Sequence, residues 1–90
     1  MKSYANLEFT DVFLVELATG RFSAAERAQI LKAFHLLDTD ERHPSLRIHV
    51  LRGDLDGVWS ASASDSLRLT FERLGGAKKM MTSVSRNYDV

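Results

Sequence analysis

His43-Pro44-Ser45-Leu46-Arg47-Ile48-His49-Val50-Leu51-Arg52-Gly53 is the stretch in which the chain changes period. Leu46, Ile48 and Val50 alternate with Arg47, His49 and Leu51, as in a strand with one face buried. Pro44 bars a helix from running into it. Upstream the period is helical. Ser23-Ala24-Ala25-Glu26 is a capping box, and Ile30, Ala33, Phe34 and Leu37 recur at helical spacing, widened by Ala28 and Leu31. This helix runs to about Leu37, where Asp38-Thr39-Asp40 stops it. A shorter helix over 12–18 is capped by Thr10 or Asp11 and closed by Gly20, after a stretch over 4–9 that can be extended.

Downstream of the turn at 53–57 the period stays at two. A strand over 58–64 is followed, after Asp65-Ser66, by one in which Leu67, Leu69 and Phe71 alternate with Arg68, Thr70 and Glu72. Gly75-Gly76 turns the chain into a last strand over 79–84. The order is β-α-α-β-β-β-β, an α+β fold: an antiparallel sheet with two N-terminal helices packed on one face. The 90 residues leave room for one domain over 1–90.

Twelve basic and twelve acidic residues cancel, so overall charge points to no class of partner. Residues 1–41 hold four bases against seven acids, and residues 42–90 eight bases against five, giving −3 and +3. A basic face on the second half fits a phosphate chain or an ordinary solvated sheet surface. Cysteine is absent, which excludes a disulfide framework and a thiolate metal site. His43 and His49 stand six apart without a third ligand at a suitable spacing, so no metal is expected. No run is long and apolar enough to span a membrane, and Met1-Lys2-Ser3-Tyr4 lacks the apolar segment of a secretory signal. The expectation is a cytoplasmic domain.

On a period-two strand Arg47 and His49 share a face, with Leu46, Ile48 and Val50 turned to the core. Arg68 is out of phase with Leu67, Leu69 and Phe71, so it emerges on the side opposite the helices, together with Arg47 and His49. Histidine suits proton transfer and arginine suits a phosphate, whose two oxygens its fork meets together. For His49 the alternative is a surface histidine. His43 suits the turn more than chemistry, and His35, near the end of the long helix, suits the dipole there. Trp59 shares a face with Ala61 and Ala63, opposite Ser60, Ser62 and Ser64, and reads as core if the serines face outward. Lys78 and Lys79 fit either a grip on an RNA backbone or an exposed hairpin tip.

His43-Pro44-Ser45-Leu46, His49-Val50-Leu51-Arg52-Gly53, Gly57-Val58-Trp59-Ser60-Ala61 and Arg68-Leu69-Thr70-Phe71 together resemble the RelE/ParE superfamily of bacterial toxin–antitoxin toxins, nearest to its RelE- and YafQ-type messenger-RNA interferases. The likeness covers almost the whole chain in element order and is specific over residues 43–71. It implies a type II toxin that cleaves messenger RNA in the ribosomal A site without a metal or other cofactor, and a cognate antitoxin that blocks it. The roles implied are proton transfer for His49, a phosphate clamp for Arg68, a base or orienting group in Asp65, and polar support from Ser62 and Asn87. Arg47, Arg52, Lys78, Lys79 and Arg86 would hold the RNA backbone. Where the family pattern places a C-terminal histidine this chain has Asn87, an amide that orients but does not titrate. Two other readings go with the resemblance: a ParE-like DNA gyrase inhibitor that cleaves nothing, and a degenerate toxin kept as an antitoxin-binding module.

Overall fold

The computed structural model describes residues 4–51 and 57–86. In chain order these form β1 (Leu7–Phe9), α1 (Asp11–Thr19), α2 (Ala24–Thr39), a 3₁₀ turn (Pro44–Leu46), β2 (His49–Val50), β3 (Trp59–Ser64), β4 (Leu67–Gly75) and β5 (Lys78–Arg86). The sheet order is β1-β5-β4-β3-β2. β2 to β5 form the expected antiparallel meander, whereas β1 lies parallel to β5, so the sheet is mixed rather than wholly antiparallel. The two helices intervene between β1 and the meander, and such an excursion is what lets a strand return parallel to its neighbour.

Local signals set the helix ends. Thr10 accepts from the Phe13 N–H at 3.1 Å and opens α1. At α2 the capping box closes in both directions, Glu26 N–H to Ser23 Oγ at 3.1 Å and Ser23 N–H to Glu26 Oε1 at 2.8 Å. The backbone bond from Ser23 and the hydrogen bond from Arg86 hold the Glu26 carboxyl below its ordinary range. A Cβ at Gly20 would collide with the Phe22 ring and come within 2.8 Å of the Glu16 carbonyl oxygen, so this connection needs glycine for close approach.

The core lies between the helices and one sheet face. Phe13, Ile30, Ala33, Phe34 and Leu37 meet Leu7, Ala61, Leu67, Leu69, Phe71, Met81 and Val84. Tyr4, Phe9, Phe13 and Phe34 form a ring cluster, with Phe9 and Phe34 centroids 5.3 Å apart. Among the described residues no helix is long and apolar enough to cross a membrane.

Three expectations are corrected. The strand read from Leu46 to Leu51 shrinks to His49–Val50. His43 caps a 3₁₀ turn instead: its Nδ1 accepts the Ser45 N–H at 3.2 Å and lies 2.8 Å from Ser45 Oγ, with Pro44 at the first position of the turn. Arg47 ends it in the left-handed conformation, at φ 47°. Leu46 is thus buried from the turn and not from a strand, while Val50 is exposed.

Lys79 is not at an exposed hairpin tip. It is 1% exposed on the helix-covered face. Its ammonium donates to the carbonyls of Leu37 (2.9 Å), in the last turn of α2, and Ala77 (2.6 Å), and pairs with Glu41 Oε2 at 2.7 Å. Glu41 Oε1 accepts from Arg73 at 2.9 Å, and the Arg73 guanidinium lies 4.4 Å over the Trp59 ring. Trp59 stacks in turn on Phe71, as its core-side reading requires.

Arg86 is likewise turned to the helices. It donates to Gly20 O (2.9 Å) and Arg21 O (3.0 Å), pairs with Glu26 at 3.1 Å and covers the Phe22 ring. A long cation entering the helix-covered face finds the carbonyls of helix ends and loops there, together with a glutamate.

Burial by itself would raise the Glu41 carboxyl, but the hydrogen bonds and charges of Arg73 and Lys79 outweigh it and hold the group below the usual carboxylate range. The stabilisation is therefore fully present above the unfolded value of about 4.3 and is lost as pH falls through the lower folded value. Glu41→Gln is expected to lose about 2–3 kcal/mol at pH 7 in urea denaturation, by weakening two charge-assisted bonds. Its stability should fall less steeply than that of the natural protein between about pH 5 and pH 3. Lys79→Met, which removes the buried charge itself, is expected to cost less than Glu41→Gln.

Candidate functional site

The face of the sheet opposite the helices is assembled by register. His49 pairs with Ser60, Ser60 with Thr70, and Thr70 with Ser83, so these four side chains form one row across β2, β3, β4 and β5. Two residues further along, Ser62, Arg68 and Ser85 form a second row. A bulge between Thr70 and Phe71 puts Thr82 on this face beside Ser83, and Thr82 Oγ1 lies 3.0 Å from Thr70 Oγ1.

His49 and Arg68 therefore rise from separate strands on the same bare surface. Strand geometry separates their Cα atoms by about 10 Å across the sheet and about 7 Å along it.

His49 is exposed, and its Nδ1 lies 3.0 Å from the Arg47 carbonyl oxygen. A carbonyl only accepts, so Nδ1 carries the proton and in the neutral ring Nε2 is left with a lone pair. Arg68 is half-buried and has no hydrogen-bond or ion-pair partner among the described residues. Its guanidinium is available to an anion.

The far end of the same face is different. Glu72 pairs with Met80 and Met80 with Glu8, so two carboxylates stand where β1, β5 and β4 meet. The surface thus runs from a cationic end at Arg68, through a field of hydroxyls, to an acidic end. A phosphate chain is drawn to the first and repelled from the second.

The other expected site residues fall elsewhere. Arg47 leaves the His49 face and reaches the Asp65 carboxylate at 3.7 Å on the rim, with both side chains largely exposed, a pair of little energetic worth. Asp65 sits in the β3–β4 hairpin and borders a groove on the helix side. Lys78 is opposite Gly75, seven residues along β4 from Arg68 and so about 23 Å away. Lys79 and Arg86 are occupied on the helix-covered face, as described above. Arg52 and Asn87 lie outside the described residues. Among the described residues no three histidine or acidic side chains gather to hold a metal ion.

The hydroxyls of Thr70, Thr82, Ser83 and Ser85 were not singled out from the sequence. Thr70 was legible by its two-residue spacing from Arg68. Thr82 and Ser83 were not, because the bulge places consecutive residues on one face.

Arg68→Ala removes a side chain without a partner and is expected to change unfolding free energy by less than about 0.5 kcal/mol. Arg86→Ala breaks an ion pair, two carbonyl bonds and a ring contact and is expected to cost about 2 kcal/mol or more. Parallel urea titrations of the two variants check this, and a large loss for Arg68→Ala would mean that the open face is not as bare as described.

No protein-family model matches the sequence, and no curated protein sequence matches it. Solved structures do. The YoeB–YefM complex from Staphylococcus aureus superposes with a TM-score of 0.69 at 15% identity, over 96% of this chain and 100% of that chain. The E. coli DinJ–YafQ toxin–antitoxin complex gives 0.68 at 16% identity over 90% of each chain. The YoeB/ParE toxin from Agrobacterium tumefaciens gives 0.65 at 18% identity, over 92% of this chain and 99% of that one. With two helices against one face of a five-stranded sheet and nearly end-to-end superposition, this chain has the fold of the RelE/ParE-type toxins.

Proposed function

We propose that the chain is the toxin of a type II toxin–antitoxin pair, and that its bare sheet face binds messenger RNA on the cytoplasmic ribosome and promotes its cleavage. The observation that carries this reading is that His49 and Arg68, from separate strands, belong to the one sheet face the helices leave open. The fold shared with toxins solved in complex with antitoxins supports a protein antitoxin as the second partner.

In this mechanism His49 Nε2 takes the proton of a ribose 2′-OH. The 2′-oxygen attacks the adjacent phosphorus, the bond to the 5′-oxygen of the next nucleotide breaks, and a 2′,3′-cyclic phosphate remains. Arg68 meets the charge that develops on the non-bridging oxygens, its two N–H groups matching two acceptors. The hydroxyls of Ser62, Thr70 and Ser83 hydrogen-bond ribose and phosphate without titrating. The proton for the leaving 5′-oxygen comes from solvent or the ribosome, since the amide of Asn87 orients but does not donate as an acid. Arg47, paired with Asp65 on the rim, steers the backbone, a task that Arg52, outside the described residues, would share. Lys78 stands too far along β4 to share that task, and Lys79 and Arg86 have structural duties.

Induced expression is expected to arrest growth, and primer extension on cellular messages should show new 5′ ends. Arg68→Ala should abolish both while the protein remains folded, and His49→Ala should slow cleavage about 10²- to 10⁴-fold. Unchanged arrest in Arg68→Ala would refute the assignment. DNA damage without message cleavage would identify a gyrase inhibitor, and expression without arrest an antitoxin-binding module.

A further inference from the structure

β2 covers only part of β3. The bond from Leu51 N–H to the Val58 carbonyl (2.7 Å) fixes which residues of β3 turn their backbone groups toward β2: Val58, Ser60 and, by the two-residue repeat of an antiparallel ladder, Ser62. Val58 and Ser60 find Leu51 and His49. Ser62 would find Arg47, but the left-handed conformation of Arg47 has turned the chain away. The Ser62 N–H and C=O therefore point off the sheet edge with no partner among the described residues. A bulge between Ser62 and Ser64 shifts the register beyond, so the free donor and acceptor belong to one residue.

Ser62 also borders a groove of about 300 Å³ between α2, the 3₁₀ turn and β3. Leu36, Leu46 and Ala63 give it an apolar floor, and Lys32 and Ser45 stand on its rim. Strand addition needs a run of outward backbone groups. A nucleobase needs an apolar bed and one adjacent donor and acceptor along its edge. The edge at Ser62 has the second form.

We propose that this groove is a base-binding subsite, in which one nucleobase turns over the β3 edge and pairs with the Ser62 N–H and C=O. The proposal rests on the RNA-binding reading above. Ser62 is the cross-strand partner of Arg68, in a pair without mutual backbone bonds, where side chains stand closest. A phosphate at Arg68 and a base at the Ser62 edge thus belong to the same nucleotide or its neighbour. Adenine sets its N6 amino hydrogen toward the carbonyl and N1 toward the amide.

Amide-resolved NMR of the full chain tests this with adenosine 5′-monophosphate and, separately, ribose 5-phosphate. The nucleotide is expected to move the amides of Ser62, Leu46 and Ala63 and to bind about tenfold tighter than the sugar phosphate, which corresponds to about 1.4 kcal/mol. Both ligands should move the Arg68 side-chain N–H. Ala63→Leu, which fills the groove, should bring the nucleotide down to the affinity of ribose 5-phosphate. Equal affinities in the natural protein, with Ser62 unmoved, would overturn the subsite. So would a capped Val-Thr-Val peptide that shifts the Ser62 amide when the nucleotide does not, since that assigns the edge to a protein strand. A response at Ser62 with Arg68 silent would leave the subsite standing and remove the phosphate clamp.

Discussion

The alternation of β4 is the constraint on which the rest of the molecule depends. Leu67, Leu69 and Phe71 are each at most 1% exposed, while Arg68, Thr70 and Glu72 point the other way. β4 is the middle strand of five, so its choice of face is imposed on β3 and β5 by direct pairing. A slip by one residue would drive Arg68 and Glu72 into the aromatic core and lift Phe71 into solvent, a loss that no other contact offsets. The helices follow the apolar face, and the open face is what remains.

α2 is held against that sheet at both ends by charge. At its start Glu26 takes the Ser23 N–H and the Arg86 guanidinium together. At its end Lys79 supplies a donor to Leu37 O and meets Glu41, in the loop leading to His49. The Lys79 clasp satisfies a carbonyl in the last turn of α2, and the Arg86 clasp satisfies carbonyls at and just beyond the end of α1. The two cations belong to the positive half of the chain, and Arg73 joins them. Among the described residues, Lys79, Arg73 and Arg86 are thus engaged with Glu41 and Glu26, and Arg68 is the cation that shares the open face with His49.

Residues of strict alternation were legible before any coordinates. His49, Ser60, Ser62 and Arg68 share a face because a strand permits nothing else, and Trp59 goes to the core side for the same reason. The capping box was equally local, since its four residues contain both partners of both bonds. Arg47 was misplaced because its neighbours alternate like a strand, while the cap from His43 and the proline at the next position pull the segment into a 3₁₀ turn. The paired threonines 70 and 82 were hidden by a bulge, which interrupts the two-residue alternation of β5.

The amino-acid order alone determined the element types, their succession and the side of each strand that seeks the core, because these follow from periods and caps spanning a few residues. Only the tertiary structure decided that β1 joins β5 in parallel, that Lys79 and Arg86 turn inward, and that β2 stops short of Ser62. Those outcomes depend on partners 38 to 66 residues away in the chain for the two cations, and on a single left-handed residue for the strand edge. A repeating pattern records which way a side chain faces. It does not record what waits there to receive it.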